Sequence, residues 1–317
     1  MNEFQDNLMN IYTPMVKSFF DGMVAVEEIS EINLSKLINS DLLKQVCNSF
    51  NNAKYDNEKE QLKAFQEIIK DGFAYVQHSK TTIGRSKAHK GLSLLNLRRE
   101  IRQTICNYEN VIDIDMDNAH PVIMLQMLKH NNIKCDCLDD YVQNRQEYRD
   151  EIYKCWKLEE YKNVYNESLL KDMSKYLMIR LMYNGTIEGW EKEYKLLKPK
   201  EIPIILTNFI NEFQSICKVF EDQNPQVKAT IEAKKTKNIK GSITSLIMQQ
   251  KESQILEIMT KYLIRRKIIE TVKPGFYKYA PCADGLIINK TNIKSNELLL
   301  TELKVEIFVK TGFIINL

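Results

Sequence analysis

The sequence predicts an α+β fold: an antiparallel sheet interrupted by a helical subdomain. Three observations carry that expectation. Long stretches, over 1–70 and 140–222, place apolar residues at helical spacing. The run NVIDIDM at 110–116 alternates like a strand. FYKYAPCADGLIIN at 276–289 reads as two strands about a turn at Ala283-Asp284-Gly285. Helices followed by separated strands fit a sheet with a segregated helical part.

Bulk properties narrow the class. At 317 residues there is room for one large domain or two ordinary ones. Hydrophobic residues at 44% against 27% charged can bury a core, and no apolar run reads as a membrane span. MNEFQDNLMNIY lacks a basic stretch followed by an apolar one, so no secretory leader is expected. The cysteines (47, 106, 135, 137, 155, 217, 282) are scattered. Only Cys135 and Cys137 are close, and one intervening residue is poor spacing for zinc. Reduced thiols in a cytoplasmic or nuclear protein that is not secreted are the expectation.

Net charge is only +3, but positive charge is concentrated locally. Arg85, Lys87, Lys90, Arg98, Arg99 and Arg102 face one acid, Glu100. Lys228, Lys234, Lys235, Lys237 and Lys240 face Glu232. Such segments suit a phosphate track; a solvated surface is the plainer reading of charge alone.

Along the chain, Asp56 to Lys70 spaces Leu62, Phe65, Ile68 and Ile69 as a helix that Gly72 ends. GFAYV at 72–76 reads as a short strand. Gly84 to Gly91 reads as a basic loop leading into a helix over 93–106. After the strand at 110–116, NAHPVIMLQML predicts a helix, with Pro121 tolerated in its first turn and Asp117 or Asn118 as a cap. Residues 140–222 read as helices. Residues 223–241, with Pro225 and many lysines, predict a linker. A long helix is expected over 243–265, the hairpin over 276–289, a helix over 296–310 ended by Gly312, and a last strand at FIINL.

The chemistry resides in separated pieces. Asp113 and Asp115, two apart on a strand, share a face. Asp284 lies at a hairpin tip far along the chain. Two carboxylates brought together on one sheet can share two magnesium ions with a substrate's phosphates. Such ions would lower the pKa of a primer 3′-hydroxyl and stabilise leaving pyrophosphate. Gly285 would let the backbone turn and a primer end approach. Lys171 and Lys175 are i, i+4 neighbours fit to meet a triphosphate. Tyr183 lies eight residues past Lys175, about 80° round the helix, where it can stack on a base. An isolated Asp-Gly turn is ordinarily just a hairpin, and the tyrosine alone could be an ordinary helix end.

Together the pieces resemble the palm and fingers motifs of family A DNA polymerases and the related single-subunit phage-type RNA polymerases. The first palm motif, D-Y-S-Q-I-E in the DNA enzymes, is matched by Asp115-Met116-Asp117-Asn118-Ala119-His120. The fingers pattern (basic residue, Lys, then Tyr-Gly) is matched by Lys171, Lys175 and Tyr183, with Asn184 before Gly185. The last palm motif, His-Asp, is matched by Ala283-Asp284. Upstream, Gly84-Arg85 with Leu92-Ser93 resembles the T-G-R segment that grips primer–template. Gln249 or Gln250 matches a glutamine near the primer terminus. The wording Asp-Ile-Asp-Met-Asp-Asn-Ala-His-Pro, with Asn144-Arg145, looks most like the polymerase branch of virophages, transpovirons and giant viruses, whose module is often joined to a helicase.

The resemblance implies four parts: a helical thumb-like region over 1–80, palm over 81–139, helical fingers over 140–222, and palm again over 223–317. It implies Asp115 and Asp284 as ligands of two Mg²⁺ ions, with Mn²⁺ able to substitute, and Asp113 and Asp117 as helpers. Lys175 would bind the triphosphate and protonate pyrophosphate, assisted by Lys171 and Tyr183. Arg85, Arg98, Arg99 and Arg102 would contact phosphates. Expected partners are primer–template, dNTPs, and a helicase, with no membrane. His120 stands where these enzymes place a glutamate that blocks the ribose 2′-hydroxyl, so rNTP use and primase activity stay open. Ala283 replaces a primer-positioning histidine and Ser93 a glutamine. No proofreading exonuclease is expected. The other class is a degenerate palm that binds nucleic acid without catalysis.

Overall fold

The computed structural model describes residues 8–15, 19–20, 22–40, 43, 52–79, 83–85, 87–88, 92–106, 108–234 and 236–317. Cys47, Lys90, Lys235, the first seven residues and the Arg99 side chain lie outside them. The chain divides into two compact units, 1–15 with 120–250, and 16–119 with 251–317. The later division falls inside the helix Ile239–Arg265.

The unit formed by 16–119 and 251–317 holds both sheets. Its strands are β1 (Val24–Glu28), β2 (Ile69–Lys70), β3 (Phe73–Ser79), β4 (Lys87–Ala88), β5 (Val111–Asp115), β6 (Thr271–Lys273), β7 (Phe276–Tyr277), β8 (Ala280–Cys282) and β9 (Gly285–Asn289). One sheet runs β2-β3-β1-β7-β6, with β4 on β3; the other runs β5-β9-β8. The second is antiparallel throughout, but β1 pairs β7 in parallel, so the first is mixed. β9 lies at the centre of the small sheet, and its Leu286, Ile287 and Ile288 are all buried, which suits a strand covered on both faces.

The helical expectation for 1–70 misses β1. Its Ala25, Val26 and Glu27 are all buried, and β-branched Val24 and Val26 suit a pleated surface. The helix expected over 93–106 is broken. Ser93 caps a single turn, Leu94–Asn96; Leu97 and Arg98 then become extended, and the helix proper is Arg99–Ile105. Buried Leu97 anchors the break. The hairpin is shorter than expected: its first arm is β8, while Phe276–Tyr277 joins the other sheet. FIINL enters no ladder, although the Asn316 carbonyl accepts from Asp117 N–H at 2.8 Å. Gly312, at φ 79°, ends the helix Asn296–Thr311 in the left-handed conformation.

The unit formed by 1–15 and 120–250 is helical among its described residues. Tyr141, Tyr148, Phe209 and Phe213 form an aromatic cluster, and Trp156 packs edge-on against Trp190. The indole N–H groups of both tryptophans are satisfied, by Glu191 at 2.8 Å and the Met173 carbonyl at 3.1 Å. The expected linker over 223–241 instead contains a helix, Pro225–Ala233. Pro225 sits in its first turn and Val227 and Ile231 are buried. Fully buried Asn224 fixes this start by accepting from Thr13 N–H at 2.8 Å and donating to the Ile11 carbonyl at 3.2 Å. Among the described residues, no helix is long and apolar enough to cross a membrane.

Candidate active site

Backbone pairing brings the two aspartates together. Asp115, the last residue of β5, is the cross-strand partner of Gly285, the first residue of β9. One residue on, Met116 N–H donates to the Asp284 carbonyl at 3.0 Å. Both aspartates are half-buried. Asp113 pairs with Ile287 two positions along the same ladder. Gly285 makes the approach feasible: a Cβ there would lie 2.2 Å from the Ile114 carbonyl oxygen and 2.3 Å from Asp115 Oδ1. No larger residue fits at Gly285 without a shift, because the neighbouring strand and the Asp115 carboxylate lie directly against it.

This donor set fits a hard divalent cation. Among the described residues no group of three or more His, Cys, Asp and Glu side chains is arranged to hold a metal. Magnesium needs no such cage, because it takes one or two carboxylates and completes its shell with water and substrate phosphates. Cys282 precedes the turn, but burial pushes its thiol well above the ordinary range, and the carboxylates of Asp113 and Asp115 add to this against Arg102. It therefore stays protonated and offers no soft thiolate ligand.

Arg85, Arg98 and Arg102 each interact with an acidic residue of their own unit. Arg85 forms a two-pronged pair with Glu252, at 2.5 and 2.7 Å, and Glu252 is only 1% exposed. Arg98 pairs with Glu58. Arg99 begins the helix Arg99–Ile105. Arg102's charge acts on Glu27, which is fully buried in β1. Glu27 accepts from the Ser93 hydroxyl at 2.6 Å and from Leu94 N–H at 2.9 Å, so it fastens the segment after Arg85 to the sheet. Burial raises its carboxyl to about 7, opposed by those hydrogen bonds and by Arg102. Sequence reasoning missed Glu27 and Glu252; with β1 unrecognised, no local signal marked the first.

In the helical unit, Lys171, Lys175 and Tyr183 belong to the helix Glu167–Met182 and its C-cap. Lys171 and Lys175 are exposed. Lys171 bonds Glu167 at 2.7 Å. The Tyr183 hydroxyl shares a hydrogen bond with His120 Nδ1, and the two rings meet edge-on with centroids 6.0 Å apart. Asn184 follows at φ 53°, a left-handed position that asparagine tolerates. Asn238 holds this turn from the segment before the helix Ile239–Arg265, and no sequence signal pointed to it. Gln249 donates to Ser245 Oγ at 3.1 Å, and Gln250 is buried.

No family model matches the chain. The helicase-named protein V13 of Sputnik virophage is 31% identical over 218 residues, which cover 68% of this chain and 25% of that protein. The chain thus spans about a quarter of the length of this curated relative. Among solved structures, the POL domain of Pol1 from M. smegmatis, in complex with DNA primer-template and dNTP, aligns with a TM-score of 0.53 at 10% identity. That alignment covers 83% of this chain and 50% of the other. The likeness shows the fold: this chain has the mixed α+β architecture of a polymerase POL domain.

Proposed function

We propose that this chain is a template-directed nucleic-acid polymerase that works by two-metal nucleotidyl transfer. The observation that supports the reading is the pairing of Asp115 with Gly285, which brings the backbone of Asp115 beside that of Asp284. It does so in a chain whose fold aligns with a polymerase domain. Asp115 and Asp284 would hold Mg²⁺, or Mn²⁺ in its place. When bound, such ions acidify a primer 3′-hydroxyl and neutralise charge on the leaving pyrophosphate.

The chain's own residues divide the remaining work. Lys175 binds the triphosphate and donates a proton to pyrophosphate, and Lys171 assists. Tyr183 stacks on the incoming base, with His120 beside its hydroxyl at the sugar. Arg85, Arg98, Arg99 and Arg102 belong to the track along the duplex. Gln249 and Gln250 serve the primer terminus. We assign 81–139 and 223–317 to the palm, 140–222 to the fingers and 1–80 to a thumb-like region. Primer–template and dNTPs are the ligands, and His120 leaves rNTPs and primer synthesis within reach. The virophage relative supports a setting in viral or mobile-element replication beside a helicase.

A second reading, a non-catalytic palm that tethers a helicase to nucleic acid, draws on Ala283 and on the relative's name. Extension of a labelled primer, and of no primer, with dNTPs and rNTPs separates the two. The wild-type chain should extend with Mg²⁺. Asp284→Asn should lose roughly 10³-fold or more in rate while holding template within about twofold. Normal extension by that variant removes the metal assignment. Template binding without extension by the wild type supports the tether.

A further inference from the structure

We infer that Asn238 is a positioning residue for nucleotide selection, acting through the Tyr183 backbone. This rests on the reading of Tyr183 as a nucleotide contact. The Asn238 side-chain amide donates to two carbonyls of one turn, Tyr183 at 2.8 Å and Asn184 at 3.2 Å. Its Oδ1 accepts from Gly241 N–H at 3.1 Å and from Asn184 Nδ2 at 3.3 Å. Reversing the amide would set an oxygen against two carbonyl oxygens, so the pattern admits one orientation.

Gly241 makes the clasp close. A Cβ there would stand 1.8 Å from the Tyr183 carbonyl oxygen and 2.7 Å from its carbon. The start of the helix Ile239–Arg265 is therefore pressed directly on the residue whose phenol meets His120. Tyr183 ends its own helix, where intrahelical hydrogen bonds run out. Two groups outside that helix hold the residue at its two ends, the Asn238 amide on its backbone and His120 on its hydroxyl. Loosening the first should blur how the tyrosine meets a base and a sugar while leaving reacting groups elsewhere untouched.

The test compares Asn238→Asp and Asn238→Ala with wild type. Asp keeps the shape and the acceptor but removes both donations. Both variants should raise the dNTP KM roughly 5- to 20-fold with kcat within about threefold, and both should lower the dNTP-over-rNTP preference. Template affinity should stay near wild type; melting should fall modestly in Asn238→Ala and further in Asn238→Asp, whose carboxylate oxygen faces the two carbonyls. Calorimetric dNTP binding, independent of turnover, should weaken by the same factor. Gly241→Ala should also raise the dNTP KM, but at a cost in stability, because its methyl group would overlap the Tyr183 carbonyl. Wild-type KM in Asn238→Asp overturns the inference. So does an equal fall in kcat with lost melting temperature, or loss of folding in both Asn238 variants, since each marks a merely structural residue. A wild-type chain that binds dNTP without extending it defeats the polymerase reading alone, and the binding comparison still decides the role of Asn238. A wild-type chain that binds no dNTP overturns both.

Discussion

The aspartate end of the sheet unit and the tyrosine turn of the helical unit are built by different means. Asp115 and Asp284 are placed by backbone pairing: a five-residue register between β5 and β9, and a main-chain bond from Met116 to Asp284. Tyr183 is placed by side chains, the amide of Asn238 and the imidazole of His120. A ladder is shared among many residues, and a one-residue slip would turn every side chain to the other face. A side-chain clasp can be altered singly. The first arrangement should therefore fail abruptly, and the second should shift by degrees.

The sharpest way to break that contrast is Gly285→Ala. A single methyl group would meet the Ile114 carbonyl oxygen, which cannot yield without moving β5, and Asp115 Oδ1, whose carboxylate would have to turn away. We expect a loss of about 3 kcal/mol of stability, as for other overpacked sites. Extension should fall on the order of 100-fold, because misplacing a reacting group by about 1 Å has that effect. Denaturation and primer extension read the two quantities. A fully active, stable Gly285→Ala chain would mean that the register is not what sets the aspartates.

In the helical unit the expected effects are smaller and specific to the nucleotide. Lys175→Ala should raise the dNTP KM roughly 10-fold or more, the scale of one lost charge-assisted contact. Lys171→Ala should change it about 2- to 3-fold, since that ammonium is already shared with exposed Glu167. An equal effect of both substitutions in steady-state kinetics would remove the distinction between them. His120→Glu should raise the dNTP-over-rNTP preference about fivefold by adding a carboxylate near the sugar. An unchanged ratio in competition assays would take His120 away from the sugar.

What could be read beforehand follows the same division. β5 and the turn before Gly285 were legible because a short β-rich run and an Asp-Gly step are local signals. β1 was not: VAVEE is brief and ends in two acids, and what buries the Glu27 carboxyl, Ser93 and Leu94, is remote in sequence. The helix Pro225–Ala233 was hidden by Pro225 and by the lysines that follow it. Its buried stripe is only Val227 and Ile231, because Asn224 supplies the anchoring through hydrogen bonds to distant backbone. Asn238 and Glu252 were invisible for the same reason. Their partners, Tyr183 and Arg85, are remote in sequence, and nothing in a local pattern announces such a contact.

Glu27 offers the finest test, because it is a side-chain clasp inside the unit otherwise organised by ladders. Its carboxyl does for Ser93 and Leu94 what the Asn238 amide does for the Tyr183 turn, but it can carry charge. Burial raises it from 4.5 to about 7, against the Ser93 and Leu94 hydrogen bonds and Arg102. Below about pH 4.5 the group is protonated whether the chain is folded or not, and its contribution is at its best. As pH rises towards 7 the unfolded chain releases the proton first, so folding must retain it and stability falls; above that range the loss is complete. The drop should be on the order of 3 kcal/mol between pH 4.5 and 7. Glu27→Gln keeps an acceptor for Leu94 N–H and cannot ionise, so its urea-denaturation stability should lack that slope. The same slope in the variant as in the wild type would assign the pH dependence to other groups and leave Glu27 an ordinary buried cap.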